Sequence, residues 1–208
     1  MKKYTIIFIL ALAVPCLVFG QDDDDKDIKS IFSKGTKVQG FGSFDMKITE
    51  MVDDVTLLLG GHGGLIINKH TIVGIGGYGI TTNNRFRGIV PNEDLDLFGG
   101  YGGLVLGYIL APREIVHISF PVLIGAGGLE VSDGDFFSPS PGDLGTIVER
   151  SAFFIVEPGA EAEINVTKFF RIGLGASYRL ITGTDLTNIS DDDVSGLSGQ
   201  ISFKFGNF

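Results

Sequence analysis

Residues 169–181 read FFRIGLGASYRLI. Side chains of an extended strand alternate between two faces. One face here is Phe170, Ile172, Leu174, Ala176, Tyr178 and Leu180, and the other is Phe169, Arg171, Gly173, Gly175, Ser177, Arg179 and Ile181. An apolar face therefore backs a mostly polar one. Leu197, Gly199, Ile201, Phe203 and Phe205 oppose Ser198, Gln200, Ser202, Lys204 and Gly206 in the same way. So do Phe154, Val156, Pro158, Ala160, Ala162 and Ile164 against Phe153, Ile155, Glu157, Gly159, Glu161, Glu163 and Asn165. Such runs exceed the ~5–6 residues of an ordinary globular strand and match the ~9–11 that cross a bilayer. Pro158 lacks a ladder N–H, so its place needs a bulge or a gap in pairing.

Working outward, the alternation predicts eight strands, near 37–49, 55–67, 70–81, 96–109, 115–130, 151–166, 169–181 and 195–207. The links between them alternate in length. Asn68–Lys69, Leu110–Glu114 and Thr167–Lys168 are short, whereas Asn83–Leu95, Ser132–Arg150 and Thr182–Val194 are long, with a shorter polar link near Glu50–Asp54. Short turns on one side and long loops on the other are the pattern of an up-and-down membrane barrel. An even strand number brings both ends of the sheet to the same side. All short links then fall on that side. The expected fold is all-β: a single antiparallel up-and-down eight-stranded transmembrane barrel, with short periplasmic turns and long outer loops.

Composition agrees. The chain has 208 residues, 31 glycines, one cysteine and a formal charge of −9, with a mean hydropathy of +0.30. Glycine at roughly 15% is about twice the usual share. It clusters inside the strands, as in Gly60–Gly64 and Gly99–Gly103, where it permits sharp curvature and close backbone approach. Lys2, Lys3 and the apolar run Ile6–Val18 form a signal-peptide pattern with a cut expected before Gln21. The expected divisions are residues 1–20, a cleaved signal peptide; 21–35, an acidic N-terminal segment beginning Asp22–Asp25; and 36–208, the barrel. Removing the two lysines takes −9 to −11. An acidic chain without a basic, aromatic-rich patch is not expected to bind nucleic acid. Cys16, the only cysteine, lies in the leader, so no disulfide is expected.

The leader, the loop rhythm and the ending Ile201-Ser202-Phe203-Lys204-Phe205-Gly206-Asn207-Phe208 resemble the small eight-stranded outer-membrane β-barrel family of Gram-negative bacteria. The resemblance implies an outer-membrane location. Its implied partners are outer-membrane lipids and the outer-membrane assembly machinery, which reads a terminal aromatic on the last strand, here Phe208 with Phe205 and Phe203. Phe208 is one residue out of phase with that apolar face, and a bend at Gly206 would restore the phase. Members of the family include adhesion or resistance proteins, passive anchors and a few lipid-modifying enzymes, so fold does not dictate function.

The bore of eight strands holds only side chains or one small ligand. Inward charges must then pair. Glu157, Glu161, Glu163, Arg171, Arg179 and Lys204 are expected to form such a network, with Gln200, His62 and His117 also inward. No Gly-x-Ser-x-Gly elbow or His-Glu-x-x-His motif occurs; neither an enzymatic activity nor a cofactor is expected. Asp191–Asp193, with Ser190 and Asp185, has oxygen ligands suited to a divalent cation, but a solvated acidic loop is the expected reading. The favoured function is a monomeric structural or surface-interaction barrel, whose acidic loops meet an extracellular partner. A solute or ion pore, a lipid-modifying barrel enzyme and a soluble lipocalin-like carrier stand as alternatives.

Overall fold

The computed structural model describes residues 36–82, 84–87, 94–132 and 147–208. The expected signal peptide, the acidic segment and parts of two long loops lie outside them. The strands are β1 (Val38–Met51), β2 (Asp54–Ile67), β3 (Thr71–Ile80), β4 (Asn84–Arg87), β5 (Asp94–Leu110), β6 (Val116–Ser132), β7 (Ile147–Asn165), β8 (Phe170–Thr182) and β9 (Gly196–Gly206). A one-turn helix, α1 (Asp191–Val194), precedes β9. All pairings are antiparallel, and each long strand lies beside its sequence neighbour. β3 pairs with β5, and β4 prolongs that pairing where β5 runs beyond the end of β3. β1 pairs with β9, from Phe41↔Gly206 to Thr49↔Ser198. Eight strands thus close an up-and-down barrel, as the alternation predicted.

The links explain the hairpins. Val52 and Asp53 have φ of 48° and 62° and join Met51 to Asp54. This two-residue left-handed turn matches the strands' twist. Asn68 and Lys69, at φ 51° and 68°, do the same between β2 and β3. Thr167 Oγ1 accepts the N–H groups of Phe169 and Phe170 and folds the β7–β8 turn. The strand ends depart from the sequence reading mainly at the long-loop end. There β5, β6 and β7 extend to 17, 17 and 19 residues, and β4 occupies part of the expected Asn83–Leu95 loop.

Pro158 does interrupt the ladder, without a bulge. Pairing of β7 with β6 skips from Val122↔Pro158 to Ser119↔Glu161. Pairing with β8 skips from Val156↔Leu180 to Gly159↔Ser177. The register is unchanged across both gaps.

Alternation sorts the side chains as expected. Leu174, Tyr178, Ile201 and Phe205 are exposed on the outer wall, as are Ile48, Ile75, Leu104 and Phe154 on other strands. Inside, the long-loop half is mainly apolar, with Met51, Leu58, Leu97, Leu129, Val131, Phe153, Ile155 and Ile181 covered by Leu186, Ile189 and Val194, and with Arg179, Thr49 and Thr56 buried among them. Towards the short-turn end, Ile66, Ile72, Val105, Ile109 and Leu123 line the β2–β6 side. The β7–β9 and β1 side is charged. The glycines let the wall draw in: a Cβ at Gly125 would lie 2.7 Å from the Gly103 Cα, and closer still to the Gly102 carbonyl oxygen.

Gly125→Ala should therefore destabilise the barrel by ~1–3 kcal/mol through overpacking. Gly199→Ala, where nothing lies within 4 Å of the added carbon, should be close to neutral. Urea unfolding of the two variants measures the difference; equal losses would mean that the close approach does not matter.

Candidate functional site: the lumenal charge network

Four buried carboxylates, Asp45, Glu157, Glu161 and Glu163, share the lumen with four buried cations, Lys47, Arg171, Arg179 and Lys204. They fall into three groups. Nearest the short turns, Lys204 Nζ lies 2.5 Å from Glu161 Oε2 and 2.7 Å from Glu163 Oε1. Glu163 Oε2 also meets His117 Nε2 at 3.0 Å and Arg171 Nη1 at 3.5 Å. Glu161 and Glu163 point the same way because they are two residues apart on β7. β9 supplies the cation that separates them. Gly173 makes room: a Cβ there would collide with Glu161 Oε1 and Ser202 Oγ.

The second group lies midway along the barrel. Lys47 Nζ is 2.8 Å from Glu157 Oε1, which also accepts from Ser177 Oγ at 2.7 Å, while Tyr101 donates to Glu157 Oε2 at 2.9 Å. The Lys47 ammonium also rests 3.5 Å over the Tyr78 ring. Tyr78 donates to Asp45 Oδ2 at 2.8 Å, and His62 Nδ1 lies 2.7 Å from the same oxygen. Ser43 Oγ donates to the other oxygen of Asp45. Ser43, Asp45 and His62 have the composition of a catalytic triad but not its connectivity. The hydroxyl bonds the carboxylate rather than the imidazole that would have to take its proton. A cavity of about 20 Å³ remains among Lys47, His62, Tyr78, Glu157, Ser177 and Gln200, roughly the room one water occupies.

Arg179 forms the third group, nearer the long loops. It donates from Nε to the Val194 carbonyl at 2.8 Å, and towards Thr49 Oγ1 and Ser198 Oγ at 3.3 and 3.4 Å. The structure thus joins Glu161, Glu163, Arg171 and Lys204, and sets Glu157 and Arg179 apart from them. Glu157 takes Lys47 as its partner. Sequence reading omitted Lys47 and Asp45, although the alternation Asp45-Met46-Lys47-Ile48-Thr49 carries the same period-two signal as β7. Arg179, expected in the ion-pair network, instead holds the last carbonyl of α1, a partner that strand periodicity does not show.

Phe208 differs from expectation. No bend returns it to the outer wall. β9 ends at Gly206, and the Phe208 ring lies 3.7 Å from the Arg171 guanidinium. Phe205 stays outside, stacked on Phe170 at 5.0 Å, and Phe203 faces Phe170 at 6.5 Å. In the loop before β9, Asp191 accepts the N–H groups of Gly183 and Thr184, and Asp193 accepts from Ser190. Among the described residues, no cluster of three or more His, Cys, Asp or Glu could hold a metal ion.

No protein-family model and no curated protein matches the chain. Solved structures do. Neisserial surface protein A matches with a TM-score of 0.50 at 12% identity, over 84% of this chain and 99% of that one. The fold is that of the small eight-stranded outer-membrane β-barrels. The N-terminal β-barrel domain of Pseudomonas aeruginosa OprF (TM-score 0.46, 10% identity, 82% and 99% covered) and Ail, the attachment invasion locus protein of Yersinia pestis (0.41, 14%, 81% and 97%), are more distant matches.

Lys204→Ala should cost ~3–5 kcal/mol, because it leaves two buried carboxylates facing each other. Adding Glu161→Gln should recover part of that loss, and a double-mutant cycle from unfolding curves checks it. Strict additivity of the two changes would show that the groups do not interact.

Proposed function

We propose that the protein is an outer-membrane barrel with a structural or surface-interaction role, its lumen closed to solutes and its acidic loops on the outside. The observation that carries this reading is the contrast between the two sides of the wall. The outer side shows large apolar side chains around the whole circumference: Ile48, Ile75, Leu104, Phe120, Phe154, Leu174 and Ile201 are all exposed. A soluble carrier would bury such a surface or place polar groups there, whereas lipid solvates it. The inner side carries the ion pairs, and the small volume left between Lys47 and Glu157 supports a closed bore. The Ser43–Asp45–His62 connectivity supports a non-enzymatic lumen.

The long-loop end supports the surface role. Glu50, Asp53, Asp54, Asp185, Asp192 and Asp193 are exposed there, with Glu149 and Asp191 beside them. They would repel polyanions and favour a basic partner, adding association rate more than affinity. The loop is organised by its own carboxylates. The Thr184 and Gly183 N–H groups hold the Asp191 carboxyl below the ordinary range, and Ser190 does the same for Asp193. Groups with depressed folded values contribute order above the ordinary carboxylate range and lose it as pH falls through the lower, folded value. The Gly183 and Thr184 amides should therefore lose hydrogen-exchange protection on acidification below that range, and Asp191→Asn should weaken that pH response.

Two measurements test the main reading. In planar bilayers the purified protein should show no large, steady conductance; regular open-channel steps would favour a pore instead. Leu174→Arg should destabilise the barrel in lipid vesicles by ~2–4 kcal/mol if the residue sits near the bilayer midplane. A protein that washes from membranes without detergent and tolerates Leu174→Arg would be a soluble carrier.

A further inference from the structure

Four basic side chains converge on a cavity of about 290 Å³ at the short-turn end. Lys69 comes from the β2–β3 turn, Arg113 from the β5–β6 turn, Lys168 from the β7–β8 turn and Arg171 from the second residue of β8; Asn165 and Phe208 also line the contact surface. Among the described residues, no acidic side chain lines it. The chain as a whole has 25 acids and 16 bases, so the cavity runs against its charge balance. Gathered cations repel one another unless an anion sits among them.

Arg171 makes this more than a ring of surface lysines. It is 5% exposed, and the Phe208 ring covers its guanidinium. Its ionic partner is Glu163 at 3.5 Å, a carboxylate already engaged by Lys204 and His117. Its buried Nε–H has no acceptor among the described residues. A guanidinium with free donors offers a planar fork that suits the paired oxygens of an oxyanion, and lysines add mobile point charge.

We propose that this mouth binds multiply charged phosphate-type oxyanions, held by Arg171 at the base and by Lys69, Arg113 and Lys168 from three turns. The volume suits a pyrophosphate-sized group with some of its hydration. The same chemistry is offered by a free phosphate compound or by a phospholipid headgroup reaching over the rim. The site depends on the geometry of the turns and not on the closed lumen or the compartment, so it can fail while the proposed function stands.

The test uses the full chain folded in dodecyl maltoside and isothermal titration in two arms, sodium pyrophosphate and micelles doped with phosphatidylglycerol. Saturable binding is expected with a Kd between ~10 µM and ~1 mM, weakening about tenfold or more in Arg113→Gln/Lys168→Gln. Both positions are exposed, so the variant should fold, and its heat-modifiable gel mobility checks that it has. Arg150→Gln, at the opposite end, should leave binding unchanged. Affinity should fall as salt rises. Binding in the pyrophosphate arm, lost in the double variant, supports a free phosphate ligand. Binding in the phosphatidylglycerol arm alone, lost in the same variant, supports a headgroup. No saturable binding in either arm up to ~10 mM, an unaffected double variant, or an equal loss in Arg150→Gln would overturn the site.

Discussion

The Lys204 ammonium stands between two carboxylates that would otherwise share a water-poor space. Glu161 and Glu163 lie two residues apart on one face of β7, so both must point inward once either does. A cation has to stand between them, and it comes from β9, two strands away. This requirement fixes more than one contact. Sliding β9 by a single residue would turn Lys204 to the outer wall and bring Phe203 or Phe205 inside. The ion pair and the apolar wall therefore specify the same register from opposite sides. Gly173 on the intervening β8 belongs to the same arrangement, since any side chain there would occupy the space of the Glu161 carboxylate.

The lumen divides its contents by position. At the long-loop end, Leu58, Leu97, Val131 and Ile155 fill the bore as an apolar core would, with Val194 and Ile189 as a cover. Nearer the short turns, charges occupy the β7–β9 and β1 side, while Val105, Ile109 and Leu123 line the β5–β6 side, Leu123 directly beside Glu157 in the ladder. Buried ion pairs seldom stabilise more than apolar residues of equal size would. Their value here is better read as specificity. An all-apolar lumen would look much like the outer wall, and the two faces of each strand would lose their distinction.

Most of this organisation was legible from alternation. The strands, the inward Glu157, Glu161 and Glu163, and the outward Leu174, Tyr178 and Ile201 follow from a period of two. What periodicity does not contain is which inward residues meet. That depends on stagger between strands far apart in sequence, so Lys47 could not be matched to Glu157, 110 residues away. The link near Glu50–Asp54 is legible as a turn, but its two-residue left-handed geometry is not. Asn68 tolerates a left-handed backbone, but Val52 is β-branched and gives no such signal. Phe208 follows plain alternation: it keeps the phase of Ser202, Lys204 and Gly206 and reaches the inward Arg171, so the bend at Gly206 that would have turned it outward is not made.

The β1–β9 seam also sets an order of events. The hairpins β1–β2 and β2–β3 join residues close in sequence and can form early. The seam joins Thr49 to Ser198, so nearly the whole chain must be in place before it closes. Until then β1 presents its open edge, bearing Asp45 and Lys47 on one face and Phe44, Met46 and Ile48 on the other. Such an edge is a template for the wrong strand of another molecule. The interval between making β1 and delivering β9 is thus the period of greatest exposure to misassembly, and anything that shelters the first strand during it would raise the yield of closed barrels without changing the stability of the finished one.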